Sequence, residues 1–368
     1  MNRPLIVCYI SSHGFGHATR VCAVLQHLPE EVDVELVTSV PRWLFDCSLS
    51  RSFVYRELLH DPGLIQRDSV EFDPSATAKA WRKILADYPQ LADREAERYK
   101  ARSPLMVGDI SPLAVLVAER LGAPSICVAN FCWDWILGPA AERLSSLAEI
   151  ASSIAGIYRR CGLLLRTPFH GDLSVFPRIR DIPLVVRRPT LSRQEAREHF
   201  NLPLDKPIVL LSFGGIGQAG VSQRILAKYP DILFVALGAD FKAPNLHVLP
   251  SEIYHPNLVV ASDIVFCKLG YGIVGEALAC KRALLHLERR TFPETRIFEE
   301  QLPRYLHIRR ISRADFEAGL WDGLYDLLAV QRDGPRLSPY TELDGGSEVA
   351  KILTRFAERG GVAWSDLL

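Results

Sequence analysis

The chain of 368 residues is too long for one ordinary hydrophobic core and fits two domains of ordinary size. Hydrophobic residues make up 48% and charged residues 23%, a composition that excludes intrinsic disorder and coiled coil. The 43 basic and 43 acidic residues leave a formal net charge of zero, which excludes a broad positive surface for nucleic acid. Any anionic ligand must therefore be bound locally, by loops and helix ends.

Strand and helix patterns alternate through the first half, which is typical of a parallel sheet with crossover helices. The predicted strands are Leu5–Ile10, Val34–Thr38, Leu105–Gly108, Ser125–Asn130 and Gly162–Thr167, the last of this half. The predicted helices are 18–28, 76–102 and 112–121, and residues 60–74 are expected to form a loop. The second helix is expected to break near Pro89.

Prolines and arginines between Phe176 and Pro207 interrupt this pattern and indicate a domain boundary near Pro183–Pro189. Ser192 and Glu195 have the spacing of a capping box, which predicts the start of a short helix. We therefore predict an N-terminal Rossmann-like domain at residues 1–186 and a C-terminal one at residues 187–368.

A second alternating series follows this boundary. The predicted strands are Ile208–Phe213, Ile232–Leu237, Asp263–Cys267 and Ala283–Leu287. The predicted helices run from the glycine turn at 214–217 to about Tyr229, and over 273–280, 314–328 and 348–359. The last helix is expected to pack back on the first domain. No repeat of short period is present, which excludes a solenoid.

The apolar run Leu5–Ile10 is shorter than a signal-peptide core, and no stretch is long enough to span a membrane. We therefore expect a cytoplasmic protein. The eight cysteines form no CxxC pair and join no histidine at zinc spacing, so we predict buried free thiols, a reduced compartment and no metal site.

The first glycine turn lies between the first strand and its helix and contains His13, Gly14, Gly16 and His17. Glycines let the backbone approach a ligand, and the N–H groups at a helix start favour an anion. The alternative is a tight connection without a ligand. His17 falls in the first helical turn, where the helix dipole disfavours imidazolium, and a neutral imidazole suits a general base. The alternative is a histidine satisfied by local backbone, and His13 is the second candidate base.

A dinucleotide site at this turn is disfavoured. The segment lacks the third glycine of G-x-G-x-x-G, and the acidic residue near the second strand, Glu35, lies inside that strand.

The second glycine turn follows a buried strand and opens a helix. Gly270, Tyr271 and Gly272 would give a diphosphate access to the backbone, and Lys268 adds a cation beside it. Glu276, one turn into the helix, is predicted to accept hydrogen bonds from both hydroxyls of a ribose. The alternative is a solvated helix carboxylate.

These segments resemble known families. Ile264–Ala279 is similar to the donor-binding segment of GT-B glycosyltransferases, where Glu276 matches the glutamate that holds the ribose. The resemblance is closer to the glycosyltransferase-like N-terminal half of L-arabinokinases and covers Ser12–Arg20, Asp109–Pro112, Pro124–Trp135 and Asp263–Leu278. Residues 16–20 also resemble the G-H-x-x-R block of the nucleotide-sugar hydrolases of pseudaminic-acid synthesis, whose histidine acts as base toward water.

Further candidates follow the predicted strands. Asp109 would orient His17 or, alternatively, cap the next helix. The remaining candidates are Asn130, Trp133 and Asp134, with His13, Gly14 and Gly16, for the acceptor or cleft, and Ser212, Gly214, Gly215 and Glu294 for the donor. The tryptophan has ordinary core packing as its alternative.

Together the resemblance implies an α/β protein of the GT-B fold, with two Rossmann-like domains facing each other across a cleft. It implies a metal-independent, hexosyltransferase-type enzyme that uses no cofactor. Its substrate would be a nucleotide-sugar, with a UDP-sugar as the first candidate. The alternatives are a nucleotide-sugar hydrolase in which His17 activates water, and a non-catalytic nucleotide-sugar binding protein.

Overall fold

The computed structural model describes residues 3–68, 71–142, 144–214, 220–289, 291–332, 337 and 339–359. The chain divides into two compact units. The first comprises Met1–Ile65, Phe72–Val185 and Glu342–Leu368, and the second comprises Gln66–Glu71 and Val186–Thr341. The main chain thus passes from the first unit to the second at Val185, and the segment that contains the last predicted helix belongs to the first unit.

The first unit contains a seven-stranded parallel sheet in the order β3-β2-β1-β4-β5-β6-β7. Its strands are β1 (Leu5–Ile10), β2 (Asp33–Thr38), β3 (Val54–Glu57), β4 (Leu105–Asp109), β5 (Ser125–Ala129), β6 (Leu163–Arg166) and β7 (Ile179–Asp181). All six residues of β1 are buried, because parallel sheets are covered on both faces. This is why the strand appears as a continuous apolar run.

In the described part of this unit, seven helices accompany the sheet. They are α1 (Gly16–Leu25), α2 (Trp43–Asp46), α3 (Pro74–Tyr99), α4 (Pro112–Leu121), α5 (Trp133–Ala141), α6 (Ser145–Tyr158) and, from the C-terminal segment, α14 (Gly345–Arg359). The helix α3 begins where Asp73 accepts a hydrogen bond from the N–H of Ala76 at 2.9 Å. The predicted break at Pro89 is wrong, because this proline lies inside α3, one unbroken helix of 26 residues. Burial of neighbours such as Tyr88 and Leu91 offsets the backbone hydrogen bond that proline cannot make.

The edge strands β3 and β7 were not predicted, and β7 shows that β6 is not the last strand of this half. Both are short and have no fully buried residue, so they lack the apolar run that identifies a strand inside a sheet. The helix α14 packs against α1, β1 and β4 within the first unit.

The second unit contains a six-stranded parallel sheet in the order β10-β9-β8-β11-β12-β13. Its strands are β8 (Ile208–Ser212), β9 (Leu233–Leu237), β10 (Leu246–Leu249), β11 (Ile264–Cys267), β12 (Ala283–Leu287) and β13 (Ile308–Ile311). Its helices are α7 (Arg193–His199), α8 (Gln223–Leu226), α9 (His255–Ala261), α10 (Tyr271–Cys280), α11 (Pro293–Gln301), α12 (Arg313–Ala318) and α13 (Gly323–Arg332), with a 3₁₀ turn at Leu302–Arg304.

Two helix predictions in this unit need correction. The single helix predicted over 314–328 is two helices, because Gly319 adopts a left-handed conformation (φ +66°) that ends α12. In the segment predicted as helix up to Tyr229, α8 covers four residues, and residues 215–219 lie outside the described residues. The capping box of Ser192 and Glu195 is confirmed at the start of α7.

Both sheets have a point where the strand order reverses. Chain order proceeds from β1 to β2 and β3 on one side and then returns to β4 on the other, and β8 and β11 repeat this arrangement. Crevices outside the carboxyl ends of strands at such points are where open α/β sheets bind ligands. The predicted parallel α/β class is therefore confirmed, and it directs attention to the ends of β1, β4, β8 and β11.

Two further expectations concern the thiols and membrane segments. All eight cysteines are free, and seven are buried whereas Cys47 is half-buried. Within the ranges that the structure describes, none of the helices combines the length and the apolar character required to cross a membrane.

Candidate active site

The first glycine turn joins the carboxyl end of β1 to α1. The N–H of Ser11 donates to the carbonyl of Asp109 at 3.1 Å, which holds the start of the turn against the end of β4. Gly14 has φ +80°, a conformation that favours glycine, and Gly16 begins the helix. His17 therefore emerges in the first turn of α1, beside the end of the neighbouring strand.

His17, Asp109 and Arg20 form a buried cluster at this edge of the sheet. The Nδ1 atom of His17 lies 2.7 Å from Oδ1 of Asp109. Arg20 donates from Nε to Oδ2 at 2.7 Å and from Nη2 to Oδ1 at 2.6 Å, a bidentate pair. All three side chains are buried. Asp109 therefore binds the side chains of His17 and Arg20. The alternative, that Asp109 caps a helix, is wrong, since Ser111 occupies the N-cap position of α4.

The charge of Asp109 decides the tautomer of His17. Burial alone would raise the pKa of this carboxyl, but Arg20 and His17 outweigh burial and hold the pKa below its usual range. An ionised carboxylate only accepts hydrogen bonds, so the proton of a neutral His17 lies on Nδ1. The contact of 3.3 Å between Nη2 of Arg20 and the same nitrogen is then a close approach of two donors. Nε2 is left as the basic nitrogen of the imidazole.

Arg20 was missed as a site residue, although it lies in the block that carried the resemblance. Its signal was the spacing of three from His17, which puts both side chains on one face of α1. Its Nη1 atom donates to Oδ1 of Asn130 at 2.8 Å, and Nδ2 of this asparagine is buried without a hydrogen-bond partner among the described residues. Asn130 thus helps to orient Arg20 rather than standing open at a cleft.

The aromatic residue predicted to contact an acceptor is a core residue. Trp133 is fully buried, with ring centroids 5.8 Å from Trp81, 5.6 Å from Phe131 and 5.4 Å from His13. It has no exposed face on which a sugar could stack, so the structure favours core packing, the alternative left open by the sequence. The Nδ1 atom of His13 accepts from the N–H of Leu64 at 3.2 Å, which fixes the ring beside Trp133.

Asp134 is half-buried at the start of α5, and burial raises the pKa of its carboxyl above the usual value. Its Oδ1 atom has no hydrogen-bond partner among the residues that are described. Of the acceptor candidates near the end of β5, Asp134 is the one that keeps part of its side chain exposed.

The second glycine turn opens α10 in the second unit. Gly270 has an extended backbone, and a methyl group built on it would meet no atom within 4 Å. Tyr271 and Gly272 are the first two residues of the helix, and Tyr271 is buried. The glycine therefore leaves open space at the helix start, where the N–H groups attract an anion.

Lys268 and Gly214 lie close together beside this helix. Gly214 has φ +74°, and a methyl group on it would lie 3.4 Å from Cε of Lys268 and 3.7 Å from Nζ. Burial, together with Arg289, lowers the pKa of Lys268 to about 8, and Glu294 partly offsets this. Gly215, which was also predicted to bind the donor, lies outside the described residues.

Arg289 is a second buried cation that the sequence did not reveal. Its Nη1 atom donates to the carbonyl of Leu269 at 3.1 Å, and its guanidinium lies 3.3 Å from the centre of the Phe292 ring. Burial lowers the pKa of Arg289 to about 10. Glu294, the predicted sugar contact, is buried as the second residue of α11. Only the fold brings β12, α11 and the glycine turn together, so no local motif marks this arginine.

Glu276 is 3% exposed, so the alternative of a solvated helix carboxylate is wrong. Its Oε1 atom accepts from Nη2 of Arg187 at 2.6 Å, and its Oε2 atom accepts from Nδ1 of His255 at 2.6 Å. Burial would raise the pKa of this carboxyl, but Arg187 and His255 reverse the effect and lower it. The other nitrogen of His255, Nε2, lies 3.2 Å from Oγ of Ser212. Glu276, the predicted ribose contact, and Ser212, a predicted donor contact, are thus joined through one histidine.

The described residues contain no cluster of three or more His, Cys, Asp or Glu side chains arranged to hold a metal ion. The carboxylates of Asp109 and Glu276 are each paired with cationic or histidine side chains of the protein.

Comparison with known proteins places this geometry in context. No protein-family profile matches the chain. Over 324 residues, or 85% of the chain, the sequence is 32% identical to L-arabinokinase of Arabidopsis thaliana, and this alignment covers 31% of that protein. The chain therefore spans about a third of the curated relative that it matches, and the predicted resemblance to L-arabinokinase is confirmed.

Solved structures of glycosyltransferases match nearly the whole chain. The glycosyltransferase of kitacinnamycin has a TM-score of 0.63 at 15% identity, covering 97% of this chain and 100% of that one. Arabidopsis thaliana UGT89C1 complexed with UDP-L-rhamnose has a TM-score of 0.60 at 13% identity, covering 97% and 100%. CalG4, the calicheamicin glycosyltransferase, has a TM-score of 0.60 at 13% identity, covering 98% and 99%. The two α/β units therefore have the predicted GT-B fold.

Proposed function

We propose that the chain is a glycosyltransferase that moves a sugar from a nucleoside diphosphate sugar to an acceptor hydroxyl, with UDP as the first candidate for the nucleotide. The observation that carries the proposal is the buried pair of His17 and Asp109, 2.7 Å apart, at the carboxyl edge of the first sheet. A structural ion pair between Arg20 and Asp109 would not require a histidine on the same carboxylate. A histidine whose tautomer is set by a carboxylate is the arrangement of a general base.

The acceptor chemistry follows from this tautomer. With its proton on Nδ1, His17 would use Nε2 to take the proton of an acceptor hydroxyl. The acceptor oxygen would form a bond to the anomeric carbon of the donor, and the bond from that carbon to the β-phosphate oxygen would break. The imidazolium formed at His17 would be stabilised by the carboxylate of Asp109, which is already ionised and held by Arg20.

The donor chemistry belongs to the second unit. The start of α10 at Gly270 and the ammonium of Lys268 would neutralise the departing diphosphate. Glu276 would accept hydrogen bonds from the ribose with the lone pairs that Arg187 and His255 leave available. We propose that this neutralisation needs no metal ion, so transfer should persist in the presence of EDTA.

The comparisons support the donor class without fixing it. UGT89C1 was solved with UDP-L-rhamnose and also with UDP, at TM-scores of 0.60 and 0.56. The similarity to L-arabinokinase covers a third of that protein, so its activity on arabinose does not carry over to this chain without a test.

Hydrolysis is the second candidate, and one observation favours it. His17 and Arg20 hold the same carboxylate from consecutive turns of α1, and the resemblance of this block was to nucleotide-sugar hydrolases as well. In that reaction His17 would activate water instead of an acceptor. A third candidate, a nucleotide-sugar binding protein, would use the second unit alone.

Product analysis separates the three candidates. The protein would be incubated with UDP-sugars, with and without a panel of acceptors, and the products identified by mass spectrometry. Release of free sugar without an acceptor would favour the hydrolase, and binding without turnover, unaffected by His17→Ala, would favour the binding protein. Failure to bind any nucleotide or UDP-sugar in calorimetry would refute the proposal.

A further inference from the structure

Ser212, His255 and Glu276 form a continuous chain of hydrogen-bonding groups in the second unit. Ser212 ends β8, His255 is the first residue of α9, and Glu276 lies within α10. The distances are 3.2 Å from Oγ of Ser212 to Nε2 of His255 and 2.6 Å from Nδ1 of His255 to Oε2 of Glu276. No sequence expectation included His255, because the three residues meet only through the sheet.

The hydrogen-bond donors and acceptors of Ser212, His255 and Glu276 allow two arrangements, which differ in the protonation of the imidazole. Glu276 is ionised and only accepts, so Nδ1 of His255 donates to it. In the neutral imidazole, Nε2 is an acceptor, and the hydroxyl of Ser212 donates a hydrogen bond to it. In the imidazolium, Nε2 donates to Oγ, and the hydroxyl proton of Ser212 is released toward a ligand. A phosphate oxygen also only accepts, so a phosphate at Ser212 competes with a neutral His255 for the single hydroxyl donor.

We infer that His255 is a positioning residue of the nucleotide site, which couples the carboxylate of Glu276 to the hydroxyl of Ser212. The inference rests on the proposed function, since it assumes that the second unit binds a nucleoside diphosphate. It adds that recognition of the ribose and of the phosphate are thermodynamically linked.

The groups around His255 are compatible with this role. Arg187 pairs with the far oxygen of Glu276, and Cys280 is a neutral thiol because burial raises its pKa to about 12. The hydroxyl of Tyr254, the neighbouring residue, donates to a backbone carbonyl at 2.9 Å. The helix α7 also packs on α9, but Arg197 contacts the opposite end of α9, at the carbonyl of Ala261. Glu276 is therefore the anion that faces the imidazole.

A thermodynamic cycle tests the coupling. Dissociation constants of UDP and of 2′-deoxy-UDP would be measured by calorimetry for the wild type and for Ser212→Ala. The factor by which loss of the 2′-hydroxyl weakens binding should differ about threefold or more between the two proteins, as for groups of one hydrogen-bond network.

The matched variants separate the two contacts of His255. In His255→Asn, the amide nitrogen replaces Nδ1 and keeps a donor toward Glu276, but it cannot reach Ser212. This variant should keep the preference for UDP over 2′-deoxy-UDP, and adding Ser212→Ala should leave that preference unchanged. His255→Gln, which replaces Nε2 and loses the contact with Glu276, should instead weaken the preference. A purely structural role predicts that every variant that folds shows the wild-type coupling.

The outcomes are distinct. UDP binding with equal factors in the wild type and Ser212→Ala would overturn the inference and leave the proposed function intact. Absence of UDP binding would overturn both. Labelling of Ser212 by a fluorophosphonate would also overturn it, because the same chain of groups would then activate a nucleophile.

Discussion

Replacement of Asp109 by asparagine tests the candidate base and the buried ion pair in one experiment. The substitution keeps the shape of the side chain and removes the charge that Arg20 and His17 share at 2.6–2.7 Å. Both partners are buried, so the guanidinium of Arg20 is left without its counter-ion. Removing one partner of such a pair destabilises a protein by about 3–5 kcal/mol. The amide oxygen of asparagine still accepts a hydrogen bond, so the expected loss is about 3 kcal/mol, the lower end of this range.

The same substitution should lower activity in the folded protein. An amide N–H facing Nδ1 of His17 would move the imidazole proton to Nε2, the nitrogen that must take the acceptor proton. The expected loss in the rate of sugar transfer is about 10²–10⁴-fold, the usual contribution of a positioned base. The free energy of unfolding would be measured by urea denaturation, and the rate by product formation under conditions where the variant is folded.

The contribution of Asp109 to stability depends on pH. Because the folded pKa of Asp109 is held below its ordinary value, its contribution to stability is complete above that ordinary value and is lost as the pH falls through the folded pKa. The stability difference between wild type and Asp109→Asn should therefore be constant near neutral pH and shrink only below about pH 4.

A control carboxylate lies in the same unit. Asp93 pairs with Arg120 at 2.8 Å, but its side chain is 64% exposed, so Asp93→Asn should change stability by less than about 1 kcal/mol and leave the rate unchanged. Equal stability losses in the two variants, or a wild-type rate in Asp109→Asn, would refute the assignment of Asp109 as the partner of the base.

Three further predictions concern the base and the glycine turns. His17→Ala should lower the transfer rate by about 10²–10⁴-fold while the dissociation constant for UDP stays within about twofold, and a parallel loss of UDP binding would contradict its role as base. UDP binding should weaken as the pH rises above about 8, the pKa of Lys268, because the neutral amine no longer attracts the diphosphate; Lys268→Met should bind weakly at every pH and show no such dependence. Gly214→Ala should destabilise the protein by about 1–2 kcal/mol in urea denaturation, because Gly214 has a φ of +74°. Gly270→Ala should keep its stability, because the added methyl group meets no atom within 4 Å, yet it should bind UDP less well. The reverse pattern would contradict an open phosphate site at Gly270.

Whether an element could be predicted from the sequence depended on how its residues are buried. Strands buried on both faces, such as β1 and β11, were predictable because two covered faces require an unbroken apolar run. The edge strands β3, β7, β10 and β13 carry polar or exposed residues and were missed for the same physical reason. Pro89 was misjudged because the packing of a long helix can offset a local penalty.

The site showed a similar division. Glycines at strand-to-helix turns have a local cause, so residues 14–17 and 268–272 could be proposed as site residues from the sequence. Arg289 and His255 carry no local signal, because their roles depend on contacts with residues 20 to 21 positions away along the chain. Trp133 shows the converse, since an aromatic residue after a strand fits a ligand site and a core equally well, and only its burial distinguishes them.

What the sequence alone determined was the parallel α/β class, the two glycine turns and the candidates His17 and Glu276, because each arises from periodicity or from spacing within one element. The tertiary structure alone decided the partners. It brought Asp109 and Arg20 to one face of His17, and His255 and Arg187 to the two oxygens of Glu276. The charge and tautomer of a buried group are set by neighbours across the sheet, and separation along the chain does not encode them.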